Sequence, residues 1–299
     1  MEVSSKRGRF ALALVFGCSV AVLVCLFAAG RLPAEWHDLP AKLAVLVFAV
    51  WGFRRVRQCW PHPSPNVGRL TAEAALAGLL NPLAGNAFAI AMTLILLRFG
   101  AHPSAGSPTE MPTVSTVAAM FLVQVVLTVL GEELLCRGAV LPALLAHGEK
   151  QAIAVSALAF GMLHLFLLPL PWAIVLGVMS GVLFVRSGSL WPSLTLHAVG
   201  NTLGVLLALC RPLADLLRQA TAAWTPTSAW WLAGAILVAA ITTSIQWQLV
   251  KHWWAHARQS APEAVSLRST LVSVPGIGLC VFYLLVNVLF LIAMFSARK

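Results

Sequence analysis

Glu132 and Glu133 stand side by side in the apolar stretch from Val114 to Ala146, where the only other full charge is Arg137. By insertion scales a carboxylate at the bilayer centre costs roughly 2.5 to 3.5 kcal/mol, so an adjacent pair there marks a functional site by default. Four residues separate Glu133 from Arg137, which on a helix brings them to one face as an ion pair, while Glu132 projects about 100° away. Two further polar insertions follow downstream, His164 after Phe160, and His197 with Asn201. One carboxylate, two imidazoles and one carboxamide suffice for hydrolysis. Glu132 serves as general base toward a water held by His164. His197 and Asn201 donate hydrogen bonds to the oxyanion of a tetrahedral intermediate, and Glu133 with Arg137 supports the site.

Two other readings use the same residues. Glu132, His164 and His197 form a two-histidine, one-carboxylate set of the kind that holds hydrolytic zinc, although no HExxH is present and each ligand would come from a different helix. Alternatively, the polar groups only hydrogen-bond between helices. The remaining polar candidates lack such company. His252 and His256 fall in an interfacial stretch, Asp215 and Arg218 form a solvated pair in a short external loop, and Ser156, Ser180 and Ser193 have no GxSxG context. Cys18, Cys25, Cys59, Cys136, Cys210 and Cys280 show no CxxC and read as small core residues.

The elements that must carry these residues are apolar helices. Hydrophobic residues make up 60% of the 299, against about 45 to 50% in soluble domains, and mean hydropathy is +0.87. The fold class is therefore all-α, a polytopic transmembrane helix bundle of eight or nine helices forming a single integral membrane domain over 1–299. Candidate spans are Phe10 to Ala29, Ala41 to Phe53, Leu70 to Leu97, Val114 to Ala146, Gln151 to Leu168, Trp172 to Val185, Leu190 to Leu209, Ser228 to Val250 and Leu271 to Phe295. Asn81-Pro82 should kink or split the third. The first is longer than the apolar core of a cleaved signal and reads as a retained span. His164 would sit roughly 16 Å into its helix at 1.5 Å per residue, His197 and Asn201 at a comparable depth in theirs. Gly177 and Gly181 form a GxxxG that lets two helices approach closely. Trp51, Trp60, Trp191, Trp253 and Trp254 lie near span ends, as in an aromatic belt.

The net charge of +10 comes from 20 Lys and Arg scattered between apolar segments. That pattern excludes a nucleic-acid surface and fits the rule that positive residues collect in the cytoplasm. With the N-terminus inside, 13 of the 20 fall inside, Arg258 among them, and the loop Ala101 to Thr113 carries none; Arg298 and Lys299 fit an eight-span count better. Arginine (15) outnumbers lysine (5), which points to a GC-rich genome and a bacterial inner membrane.

EExxxR (Glu132, Glu133, Arg137), FxxxH (Phe160, His164) and HxxxN (His197, Asn201), in that order, resemble the CAAX protease and bacteriocin-processing family, over roughly residues 115 to 210. These are glutamic-type intramembrane endopeptidases related to type II CAAX prenyl endopeptidase. The resemblance implies the same roles for Glu132, His164, His197 and Asn201, with no cofactor. Cys136 stands where an aromatic is usual. Members cleave prenylated C-termini, process peptides or trim membrane anchors, and some act as immunity or scaffold proteins. The implied partner is a membrane protein or lipid-anchored peptide in the bilayer. A proton- or ion-coupled transporter and a non-catalytic membrane scaffold are the competing functions.

Overall fold

The computed structural model describes residues 2–101, 112–255 and 267–296, and among these every regular element is helical. In chain order the helices are α1 (Glu2–Ala28), α2 (Leu39–Val56), α3 (Val67–Gly78), α4 (Asn81–Arg98), α5 (Val114–His147), α6 (Glu149–Met162), α7 (Leu170–Ser187), α8 (Trp191–Leu209), α9 (Arg211–Ala222), α10 (Ser228–Ala255) and α11 (Val274–Ser296). Seven stretches among the described residues are long and apolar enough to cross a membrane, with α3 and α4 together as one of them. An all-helical polytopic bundle is therefore the architecture.

Two expected spans, Ala41 to Phe53 and Gln151 to Leu168, form helices that fall outside those seven. α2 carries Lys42, Arg54 and Arg55. α6 has 14 residues, which at 1.5 Å per residue gives about 21 Å against a hydrocarbon core of about 30 Å. The helix stops at Met162, so His164 sits in the turn beyond it rather than inside a span. As expected, Leu79 and Leu80 break the third segment, with Pro82 in the first turn of α4. A proline has no N–H to leave unpaired there.

α5 is wound irregularly. Phe121–Leu127 and Leu134–Val140 are π-helical, with an α-helical stretch, Thr128–Glu133, between them that ends on the two glutamates. π winding is uncommon and concentrates at functional sites, because it displaces carbonyls from the regular ladder. Other groups collect those carbonyls here. Val123 O accepts from Thr128 Oγ1 at 2.7 Å and Gln124 O from Asn201 Nδ2 at 2.8 Å. Cys136 O accepts from Ser156 Oγ at 3.1 Å and Gly138 O from Trp60 Nε1 at 2.9 Å.

α2 and α8 flank α5, and α6 packs on α7. The GxxxG packs as expected: a Cβ at Gly177 would lie 2.8 Å from Ala157 Cα, and Gly181 faces Ile153. Trp51 and Trp191 are exposed, but Trp253 is buried and donates to Glu73 Oε2 at 2.8 Å, and Trp60 is half-buried, so these two pack inside rather than in a belt. Cys18 and Cys136 are buried core residues, whereas Cys210 and Cys280 are exposed. Asp215 and Arg218 pair at 2.6 Å, but on α9 rather than in a loop. The loop 102–111, His256, Arg258, Arg298 and Lys299 lie outside the described residues.

Candidate active site

Glu133 and Arg137 form a closed cluster with no exposed side-chain surface. Glu133 Oε1 accepts from Arg137 Nη1 at 3.3 Å and from His197 Nδ1 at 2.9 Å. Arg137 Nη2 donates to Gly177 O at 2.9 Å, and the guanidinium lies over the Phe160 ring, 4.6 Å from its centroid. One ion pair thus joins α5 to α6, α7 and α8. Burying two charges is tolerable only when they meet each other and further partners.

Glu132 faces elsewhere, as the helical offset requires. Its Oε1 accepts from Lys42 Nζ at 3.0 Å. Its Oε2 is buried with no hydrogen-bond partner among the described residues. Glu132, His164, His197 and Asn201 all line one cavity of about 560 Å³, together with Lys42 and Asn81. The four side chains expected from three separate segments therefore share one space, and Glu133 and Arg137 lie behind it.

The hydrogen bonds fix which ring nitrogen each histidine offers. His164 Nδ1 lies 3.0 Å from Phe160 O, and because a carbonyl only accepts, Nδ1 carries the proton. Neutral His164 therefore presents an Nε2 lone pair, suited to holding a water. His197 Nδ1 likewise donates to a carboxylate. Its Nε2 becomes a donor only when both ring nitrogens carry a proton. Asn201 gives one Nδ2 hydrogen to Gln124 O, and Gln124 Nε2 in turn donates to Asp38 Oδ2 at 2.8 Å.

His164 is held by an unusual turn. Leu165, the next residue, has φ +62°, the one positive φ outside glycine among the described residues. A left-handed non-glycine residue costs of order 1 to 3 kcal/mol and persists only when its surroundings determine it. α11 does so: Asn287 Nδ2 donates to Leu165 O at 2.8 Å, and Tyr283 Oη to Phe166 O at 3.3 Å.

Among the described residues no three His, Cys, Asp or Glu side chains form a group that could hold a metal ion. The alternative set of Glu132, His164 and His197 lines the cavity without converging as ligands, and His197 Nδ1 is held by Glu133. Sequence reasoning missed Lys42, Asn81 and Gln124. Lys42 carried a signal, since it is the only charge between Ala41 and Phe53. The two amides carried none, because isolated Asn and Gln in apolar helices mostly serve packing.

Fold and site define an all-helical integral membrane protein with a cavity into which carboxylate, imidazole and amide groups are set among apolar side chains. Residues 114–203 match the family model described as type II CAAX prenyl endopeptidase Rce1-like. The match bears out the resemblance carried by the three motifs and spans α5 through the first two thirds of α8. No curated protein matches the chain, and no solved structure does.

Proposed function

We propose that this protein is an intramembrane endopeptidase of glutamic type that hydrolyses peptide bonds in membrane-anchored or membrane-delivered proteins. The observation that carries the reading is the common cavity. It brings an unpartnered Glu132 carboxylate oxygen together with His164, His197 and Asn201. Glu132 Oε2 takes a proton from a water that His164 Nε2 holds, and the water oxygen bonds to the scissile carbonyl carbon. His197, held through Nδ1 by Glu133 and donating from Nε2 when doubly protonated, and the second Nδ2 hydrogen of Asn201 stabilise the oxyanion. Collapse breaks the C–N bond, and Glu132 returns its proton to the departing amine. Lys42 supplies the counter-charge that a buried carboxylate needs. In this reading the steps run through this chain's own side chains. The family match supports a CAAX-type activity. The excess of arginine over lysine supports a bacterial inner membrane and the cluster Lys6, Arg7 and Arg9 ahead of the first span a cytoplasmic N-terminus, and the substrates would be anchor or sorting segments rather than prenylated tails.

The test is purified protein in lipid with a library of membrane-anchored peptides, alongside Glu132→Ala and His164→Ala. Cleavage that both substitutions abolish, and that survives chelation in metal-free protein, is expected. Undiminished cleavage by both variants overturns the mechanism. Proton-coupled flux without proteolysis favours a transporter, and a cellular phenotype indifferent to Glu132→Ala favours a scaffold.

A further inference from the structure

The cavity extends beyond the groups that the reaction uses. Asn81, at the start of α4, is 4% exposed. Its Oδ1 accepts from the buried Gln246 Nε2 of α10 at 2.9 Å, which fixes the carboxamide. Its Nδ2 has no partner among the described residues, and Asn81 lines the cavity. A buried amide group left unpaired is costly; Gln246 Oε1 is unpartnered too, but of the two amides only Asn81 lines the cavity, beside the catalytic groups.

From Asn81 the lining continues along α4 through Gly85 to Ala89, and along α8 from Gly200 through Gly204 to Ala208. Each row, eight residue steps long, rises about 12 Å. The rows touch at the Asn81 end, where a Cβ at Gly200 would lie 3.0 Å from Asn81 Nδ2, and the Trp172 ring covers Gly85 at 3.3 Å, so the space between them opens toward Gly204. A Cβ at Gly204 would meet nothing within 4 Å. An extended chain rises about 3.3 Å per residue, so the rows match three or four residues of strand. A helical substrate hides its scissile bond. An unwound one inside a membrane exposes backbone groups that must each find a partner, at several kcal/mol for each left bare.

We infer that the groove between α4 and α8 binds the substrate as an extended backbone, with Asn81 Nδ2 donating to a substrate carbonyl next to the scissile bond. The inference rests on the protease reading and names its substrate-binding surface. Asn81 acts as a binding residue, apart from the proton transfers.

The experiment uses the full chain in lipid nanodiscs and the best-cleaved peptide of the library above. Gly204→Phe fills the groove where no neighbour stands. It is expected to raise KM at least tenfold with Tm unchanged. Asn81→Leu is expected to raise KM about tenfold, one lost hydrogen bond, with kcat within about threefold. A thioamide scan of the peptide identifies the paired carbonyl: the weaker acceptor should cost the unmodified protein severalfold at one position and cost Asn81→Leu nothing there. If Asn81→Leu fails to fold, Asn81→Asp, which keeps the acceptor toward Gln246, takes its place in the scan. Gly204→Phe cleaving with an unchanged KM overturns the groove, and a scan with no position specific to Asn81 overturns the hydrogen bond. Either result, with Glu132→Ala still inactive, leaves the protease reading standing. A library with no cleaved peptide sinks both.

Discussion

Two regions of α5 meet at one peptide bond. On one face Glu133 is enclosed with Arg137 and His197, beneath the Phe160 ring, and none of its surface reaches a cavity. On the other, Glu132 has one oxygen on Lys42 and the second unpaired in a cavity shared with His164, His197 and Asn201. The same functional group thus serves two ends. Where partners converge, a buried carboxylate joins helices. Each glutamate leaves its Oε2 without a partner among the described residues, but only Glu132 lines the cavity. His197 connects the two regions, with Nδ1 in the closed one and the ring on the wall of the open one.

Substitutions can break this contrast. Glu132→Gln should lower turnover by about 100- to 10,000-fold, the range for a lost general base, with helical content and Tm close to those of the unmodified protein. A cleavage assay beside circular dichroism checks both, and a variant that unfolds while its folded fraction stays active reverses the assignment. Arg137→Met should do the opposite. Leaving Glu133 charged and unpaired should cost about 3 to 5 kcal/mol of stability, read from thermal or denaturant unfolding in detergent, with Glu133→Gln in the same chain recovering part of it. Lys42→Met removes a charge-assisted hydrogen bond worth about 1.5 to 3 kcal/mol. If it acts through Glu132, kcat should fall by roughly 10- to 100-fold with KM little changed, and Lys42→Arg should retain most of the rate. Smallest is Asp215→Ala on α9, an exposed ion pair that should move stability by under about 1 kcal/mol. A larger loss would mean that α9 does more than cover the surface.

The closed region was the more legible in sequence. Glu133 and Arg137 are local, and helical spacing alone pairs them. That His197 joins them was not legible, because nothing in a string of residues ranks one glutamate above its neighbour for a histidine 64 positions away. The open region was legible as a set but incomplete. Lys42, a lone charge in a short apolar segment, went unread. Asn81 drew notice for the proline after it and not for its own amide. Apolar length located the helices, yet it overran α6, whose C-terminal carbonyl at Phe160 is taken by the His164 side chain. The π winding left no signature, since the residues there are ordinary helix formers.

The turn at Leu165 bears on portability. The three motifs and the matched segment end well before α11, yet α11 supplies the two hydrogen bonds that keep the backbone after His164 in its left-handed bend. A fragment cut to the matched residues would carry Glu132, His164, His197 and Asn201, the proposed catalytic set, and still lack the brace for one of them. Asn287→Leu should reproduce that defect in the whole chain, lowering kcat severalfold while the Glu133 and Arg137 cluster stays intact. The recognisable motif and the working unit therefore have different boundaries, and a search or a graft based on the motif alone would leave out a part of the enzyme.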